Sequence, residues 1–433
     1  MKKTEHEHRL KGVSRRRVLG SLGVAGAAML APAGLRSWTT ASEMQPDSTP
    51  GGTKDQSPTK NPRWYGFNLL EYFSTDPDWM KYFPYKNDGM FLEDDFRWIR
   101  DWGFNWVRLP MDYRFWTDPQ DLMKIYQRKV APIDRAVRLG EKYGIHVNLS
   151  LHRAPGYCIL DTLDESLTGI HITREKSSVF DDPKMLDAFV YQWTYFADRY
   201  KGASSSKLSF NLVNEPIAVP TAAETEQLKK ADKTQANALR GKIAQRHAAD
   251  YTRVARAAIT EIAKHDAERL VVTDGCNGGT AVIPELFETG VLQSCHTYHP
   301  VQLTHYQCEW ARGFLTGAEP LPTWPLKNVE GGTVDRNQLT RTFQPWREPA
   351  AHGVPIHFGE MGCYKHTPPE VVLAWFDDTL DVLGGLHTGW ALWNFRGPFG
   401  VLDTERAGTK YEDWHDHQLD RALLNRLQKK MKS

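Results

Sequence analysis

The order of apolar and polar residues after Trp64 alternates between two patterns. Short apolar runs typical of buried strands cover 65–70, 104–109, 146–151, 208–213, 270–273, 294–298, 356–358 and 389–393. Longer stretches with helical spacing cover 92–102, 132–143, 183–200, 237–265 and 368–383. Strands that are apolar throughout and alternate with helices indicate a parallel sheet that is buried on both faces.

Two α/β folds share this alternation, and the chain favours one of them. Eight such strands within 433 residues predict a single (β/α)8 TIM barrel over residues 61–433, with extended βα loops near 215–236 and 299–345. A doubly wound open sheet is the alternative, but no glycine-rich phosphate loop follows the first strand. We find no internal repeat and no second domain.

The first sixty residues have a different composition from the rest of the chain. A segment with three consecutive arginines, Arg15 to Arg17, precedes a short run rich in Gly and Ala that ends in Ala-Pro-Ala. This order predicts a twin-arginine-type signal peptide over residues 1–33, and therefore a periplasmic or extracellular protein. An uncleaved signal would anchor the chain in the membrane, whereas no stable membrane span is expected after cleavage. Residues 34–60 are polar and rich in Pro, Gly and Ser, which predicts a flexible linker.

Charge and cysteine content narrow the classes of partner. Lys and Arg number 54 against 53 Asp and Glu, for a formal net charge of +1. This balance gives no long-range field to attract nucleic acid, so a neutral substrate is favoured and a nucleic-acid partner is not expected. The five cysteines are an odd number scattered along the chain, which is not a disulfide framework, so we expect mostly buried thiols, with room for one or two bridges after export. We expect a monomer.

Candidate chemistry gathers at the ends of the predicted strands, where barrel enzymes carry their active sites. Residues of catalytic type end six of the eight strands, and they are Arg108, His152, Asn214, Glu215, His296, Tyr298, Glu360 and Trp393. Glu215 and Glu360 follow strands on opposite sides of the predicted barrel mouth. A pair of carboxyl groups is suited to glycoside cleavage, because one must be protonated and the other ionised. Carboxyl groups about 5 Å apart give retention of configuration, and a separation of about 6.5–9.5 Å gives inversion.

The segments 212–216 (LVNEP) and 356–360 (IHFGE) resemble the acid/base and nucleophile motifs of glycoside hydrolase family 5, the cellulase-like barrels. The resemblance covers about residues 64–425. It implies a retaining, endo-acting hydrolase of a β-linked polysaccharide, with Glu215 as acid/base, Glu360 as nucleophile, and no cofactor or metal. It favours β-glucan as the substrate. A β-mannanase, a β-1,3-glucanase, an exo-β-glycosidase and a non-catalytic carbohydrate-binding barrel are the alternatives.

The resemblance extends to six supporting positions, which are Arg108, His152, Asn214, His296, Tyr298 and Trp393. By this resemblance Arg108 keeps the nucleophile ionised, and Tyr298 orients it. Asn214 binds the 2-hydroxyl of the sugar, His296 lies near the acid, and Trp393 is the platform under the reacting sugar. A carboxyl group beside Arg108 is expected to have a lowered pKa.

A zinc site is a rival interpretation of the segment after the sixth strand. Its five soft ligands are Cys295, His296, His299, His305 and Cys308. Their spacing matches no closed four-ligand zinc pattern. Alternate residues of a strand also point to opposite faces, so these side chains are not expected to converge.

Overall fold

The computed structural model describes residues 61–83, 89–163, 165–312, 315, 317, 319–327 and 332–432. The signal predicted for residues 1–33 and the linker predicted for residues 34–60 lie outside these ranges.

Eight parallel strands form a closed barrel. They are β1 (Tyr65–Asn68), β2 (Trp106–Asp112), β3 (His146–Ala154), β4 (Leu208–Asn211), β5 (Leu270–Asp274), β6 (Leu292–Thr297), β7 (Ile356–Met361) and β8 (Gly389–Leu392). Each strand pairs with its neighbours in chain order, and β8 pairs with β1 to close the sheet. The (β/α)8 TIM barrel predicted from the sequence is confirmed.

Helices surround the barrel and cover its outer face. The longer ones are α1 (Glu93–Asp101), α2 (Gln127–Tyr143), α3 (Pro183–Arg199), α4 (Ala222–Lys230), α5 (Lys233–His265), α6 (Arg336–Phe343), α7 (Pro369–Gly384) and α8 (Arg421–Met431). Asp232 begins α5 with a capping box, in which its side chain accepts from the amide of Gln235. None of the described helices is long and apolar enough to cross a membrane.

Shorter elements lie in the connections and on the rim. Single helical turns occur at Pro77–Met80, Glu165–Thr168, Val301–Thr304 and Glu348–Ala351. Antiparallel hairpins pair Thr117–Asp118 with Asp121–Ile125, Leu326–Lys327 with Thr333–Val334, and Glu412–Trp414 with His417–Leu419. The long loops predicted near 215–236 and 299–345 therefore contain regular structure.

Two strands extend beyond their predicted ends. The strand predicted to end at Leu109 continues to Asp112, and the one predicted to end at Leu151 continues to Ala154. Both continue because they pair with each other up to Asp112 and Arg153. Arg108 and His152 consequently lie inside their strands, and neither is the last residue. Every residue of β2 and β3 is buried, as expected for a sheet covered on both faces.

Candidate active site

The polar residues predicted from the sequence meet at one end of the barrel. The structure brings together Arg108 of β2, His152 of β3, Asn214 and Glu215 after β4, His296 and Tyr298 at the end of β6, Glu360 of β7, and Trp393 after β8. The strand ends of a barrel converge on its mouth, so residues far apart in sequence come into contact there.

Glu360 is held through both of its carboxylate oxygens. Arg108 Nη1 donates to Oε1 at 2.5 Å, and the Tyr298 hydroxyl donates to Oε2 at 2.9 Å. The register between β6 and β7 shifts between Phe358 and Glu360, and such a bulge re-aims the side chain that follows it. The carboxyl group is fixed in direction and is only 3% exposed.

Burial dominates the titration of Glu360. It raises the pKa of this carboxyl group to about 7, although the charges of His296 and Arg108 act in the opposite direction. The negative charge of Glu215 adds to the rise. The lowered pKa predicted from the Arg108 contact is therefore wrong in direction, because removing a carboxylate from water outweighs that favourable contact.

Arg108 is locked by side chains from several strands. Its Nε donates to Asn211 at 2.8 Å, its Nη1 also donates to Asn68 at 3.0 Å, and its Nη2 donates to Asn214 at 2.8 Å. Nη2 lies 3.5 Å from the carboxylate of Asp274. A guanidinium group with all its directions occupied cannot swing away from the carboxylate that it orients.

His296 links three carboxyl groups. Its Nδ1 lies 2.9 Å from Glu215 Oε1 and 3.5 Å from Glu360 Oε1, and its Nε2 lies 3.2 Å from Asp274 Oδ2. Burial disfavours a charged imidazole, but the charges of Asp274 and Glu360 outweigh it and raise the pKa of His296 to about 10. Residue 279 must be glycine for this packing, because a Cβ there would lie 2.7 Å from the His296 Cβ.

Asp274 carries a negative charge beside the cations His296 and Arg108. Burial works to raise the pKa of Asp274, but His296 and Arg108 together lower it below the ordinary value. Two cations therefore face three carboxyl groups, those of Glu215, Asp274 and Glu360.

The backbone at Glu215 is strained. Its φ angle is +46°, in the left-handed region that residues with a Cβ rarely adopt, and a proline follows it. The Tyr157 hydroxyl donates to the Glu215 carbonyl at 2.7 Å and accepts from the Ile217 amide at 3.0 Å. The Glu215 amide donates to Asp274 at 3.1 Å. These contacts hold a conformation that directs the Glu215 side chain towards His296.

Aromatic and neutral groups border the carboxyl pair. Trp393 is 6% exposed, and its ring lies 5.5 Å from that of His152. Burial, followed by the charge of Arg108, lowers the pKa of His152 well below its ordinary value, so this imidazole is neutral. The amide Nδ2 of Asn214 is buried and has no hydrogen-bond partner within the described part of the chain.

Glu215, His296 and Glu360 are also the described residues whose donor atoms lie close enough to hold a metal, all within 4.8 Å of one another. The sulfur-containing set proposed for zinc is not brought together, since only His296 of that set belongs to this group. Cys295 lies on the opposite face of β6 and is buried. All five cysteines are buried free thiols.

Three buried residues of the site were missed in the sequence. Asn68 donates to the carbonyls of Gly359 and Leu392, and Asp274 and Asn211 surround Arg108. Asn68 and Asp274 end β1 and β5, the two strands for which no site residue was predicted. The same criterion of polar residues at strand ends would have found both.

Comparison with known proteins gives one family match. The cellulase family model, glycosyl hydrolase family 5, matches residues 57–397. Endoglucanase C of Acetivibrio thermocellus is 22% identical over 350 residues, which cover 75% of this chain and 90% of that protein. Cellodextrinase A of Ruminococcus flavefaciens is 24% identical over 307 residues, covering 69% of this chain and 77% of the relative.

A solved structure agrees with these matches. A crystal structure described as that of a glycoside hydrolase superposes with a TM-score of 0.70 at 33% sequence identity, over 85% of this chain and 99% of its own.

Proposed function

This chain belongs to the cellulase family, glycosyl hydrolase family 5, and we propose that it hydrolyses β-glucan with retention of configuration at the reacting carbon. One observation carries the mechanism: carboxylate oxygens of Glu215 and Glu360 lie within 4.8 Å of each other. Retaining glycosidases place their carboxyl groups about 5 Å apart, whereas inverting enzymes need about 6.5–9.5 Å to admit a water molecule. The short separation supports direct attack by one glutamate on the sugar.

In the first step Glu360 attacks the anomeric carbon while Glu215 protonates the leaving oxygen. Glu360 suits the nucleophilic role because Arg108 and Tyr298 hold its carboxylate in a fixed direction. Glu215 suits the acid role because its side chain is 17% exposed, and so more accessible to a leaving group than that of Glu360, which is 3% exposed. The bond between carbon and leaving oxygen breaks as the bond to Glu360 forms.

In the second step a water molecule enters on the face that the leaving group has vacated. Glu215, now ionised, removes a proton from this water, which attacks the anomeric carbon and releases Glu360. The two inversions at one carbon together give retention. The proton that Glu215 gave to the leaving oxygen is thus replaced by the one that it takes from water at the end of each cycle.

Asn214 and Trp393 supply the sugar contacts in this proposal. The unpaired, buried Nδ2 of Asn214 is a donor without a described partner, and a sugar hydroxyl would satisfy it. The indole of Trp393 offers an apolar ring surface for a pyranose. Both roles agree with those implied by the family resemblance.

β-Glucan is the substrate that the comparisons favour, because relatives of this chain are named an endoglucanase and a cellodextrinase. The export signal proposed for residues 1–33 fits such a substrate, since a polymer is hydrolysed outside the cell. Cleavage within a chain and cleavage at its end use the same two glutamates.

A hydrolysis screen tests this proposal. Purified protein is incubated with cellulosic, mixed-linkage β-glucan, β-1,3-glucan and β-mannan substrates, and released sugars are followed by nuclear magnetic resonance. We expect fastest hydrolysis of β-glucan, with the β-anomer formed first. Activity should be unchanged in the presence of a chelator. Preferential mannan hydrolysis, α-anomer formation, or loss of turnover on chelation would contradict the proposal.

Tyr157 is predicted to position the acid. Tyr157→Phe removes the hydroxyl that bridges the Glu215 carbonyl and the Ile217 amide, and the strained backbone is then free to relax. Two hydrogen bonds of about 1 kcal/mol each suggest that kcat falls by up to about 30-fold, with KM little changed. The loss should shrink with an activated aryl leaving group, which needs no protonation.

Tyr200→Phe is the matched control. Its hydroxyl bonds to Asp134 on the outer side of the barrel, so the same atom is removed far from the site. We expect lower thermal stability without a kinetic change. An equal loss of kcat for Tyr157→Phe with good and poor leaving groups would assign that residue a purely structural role.

A further inference from the structure

A second apolar cluster lies at the mouth of the barrel, outside the main core. We name as the aromatic cap the six rings that surround its centre, which are Phe73, Trp79, Phe83, Trp310, Tyr364 and Phe399. These rings come from the segments that follow β1, β6, β7 and β8. Five of them are almost fully buried, and Trp310 is partly exposed.

Trp310 contacts four of the other five rings of the aromatic cap. Its ring lies 5.4 Å from Trp79, 5.6 Å from Phe83, 5.0 Å from Tyr364 and 6.2 Å from Phe399. The segment after β6 therefore contacts the segment after β1 across the ends of β7 and β8. The rings thus form one packed aromatic cluster beside the ends of β1, β7 and β8.

The cap lies against the proposed sugar platform. Phe73 lies 5.4 Å from Trp393 and Phe83 lies 6.1 Å from it, both with rings nearly perpendicular to the indole. Phe73 also lies 4.5 Å from His152. A sugar on Trp393 would have the cap as its neighbour on this side.

The segment after β3 forms hydrogen bonds with the segments that carry the aromatic cap. The His171 amide donates to Asp78 at 3.3 Å, and Arg312 donates to the Leu167 carbonyl at 3.4 Å. These bonds tie the segment after β3 to the segments after β1 and β6. Three loops therefore meet above the site.

The side of the site beyond Glu215 is open by comparison. Ile217 and Ala218 are partly exposed, and Val219 is 57% exposed. Glu215 is 17% exposed, whereas Glu360 is 3% exposed. The two sides of the cleavage point differ in access to solvent.

The difference in solvent access indicates which part of the sugar chain the site confines, and this inference rests on the function proposed above. The sugar that becomes attached to Glu360 is the one whose remaining chain runs to the non-reducing end, whereas the departing chain lies beyond Glu215. We propose that the aromatic cap closes the non-reducing side of the site, so that the enzyme removes sugars from the non-reducing ends of β-glucan chains. The endo action that the family resemblance implies is then disfavoured, because a longer chain on that side would meet the buried rings.

An end-blocked substrate tests this inference. A cello-oligosaccharide with a fluorescent label at its reducing end is compared with the same molecule carrying a 4,6-O-benzylidene group on its terminal non-reducing sugar. We expect the free-ended substrate to shorten stepwise, and the blocked one to react at least 100-fold more slowly. Equal rates would overturn the inference and leave the proposed hydrolysis intact. Cleavage of neither substrate would overturn the proposed function itself.

Two variants connect the result to the cap. Trp310→Ala removes the central ring, and we expect it to raise the relative rate on the blocked substrate at least tenfold. Trp324→Ala is the control, because Trp324 lies in the same β6–α6 segment but bonds to Asp378 of α7 on the outer surface. This control should keep the wild-type ratio of rates. A folded Trp310→Ala variant that keeps that ratio would contradict the role of the cap.

Discussion

Replacing Glu360 by glutamine should abolish turnover and leave substrate binding in place. The amide has nearly the shape of the carboxylate, so the packing around Arg108 and Tyr298 is kept, but it cannot form the covalent bond to the sugar. Loss of a covalent nucleophile lowers kcat by about 10⁴- to 10⁶-fold. The measurement is hydrolysis of a β-glucan oligosaccharide together with calorimetric binding of the same ligand. An active variant would refute the assignment.

The control for this prediction makes the same atom change at an exposed position. Glu285 lies on the outer side of the barrel, and Glu285→Gln should retain full activity. A Glu360→Gly variant adds a stereochemical test, since the space it leaves admits azide. Azide attack on a β-glycoside from that side inverts the carbon once and gives the α-glycosyl azide. A β-configured product would mean that Glu360 is not the nucleophile.

The barrel and most residues of its candidate site could be predicted from the sequence, and the reason is physical. Strands buried on both faces are continuous apolar runs, and the polar residues that interrupt their ends are conspicuous. Arg108 and His296 were found in this way. Asn68 and Asp274 satisfy the same criterion and were overlooked, since neither position belongs to the motifs that carry the family resemblance.

The aromatic cap could not be predicted in this way. Phe73, Trp310 and Phe399 are separated by 237 and 89 positions in the chain and lie in connecting segments, where an isolated aromatic residue carries no periodic signal. Their contact depends on how loops of different strands pack above the barrel. The pKa of Glu360 was misjudged for the same reason, because its burial is a tertiary property.

The charges around Glu215 and Glu360 determine the result expected for the second substitution, Glu215→Gln. Arg108 and His296 are the two cations that contact the three carboxyl groups of Glu215, Asp274 and Glu360. Glu360 loses its proton more readily when Glu215 is neutral, because the negative charge of Glu215 is one cause of the raised pKa of Glu360. A neutral Glu215 therefore favours the ionised Glu360 that catalysis requires.

Glu215→Gln should therefore slow hydrolysis of unactivated β-glucan by about 10³-fold, because general acid and base assistance are both lost. A dinitrophenyl β-glycoside should still form the glycosyl-enzyme quickly, since its leaving group needs no proton, and the rapid-mixing trace should show a burst. Azide should then react with the intermediate to give the β-glycosyl azide. A variant equally slow in forming the intermediate from both substrates would refute the acid role.

The same variant should also change the pH dependence of the nucleophile. A neutral glutamine at position 215 removes a neighbouring negative charge. This loss stabilises ionised Glu360 and lowers the pKa of Glu360 from about 7. The acidic limb of kcat/KM for the dinitrophenyl substrate, below which Glu360 is protonated and inactive, should move to lower pH. Glu285→Gln should leave that limb in place. A limb that stays fixed or moves to higher pH in Glu215→Gln would show that the charge of Glu215 does not raise the pKa of Glu360.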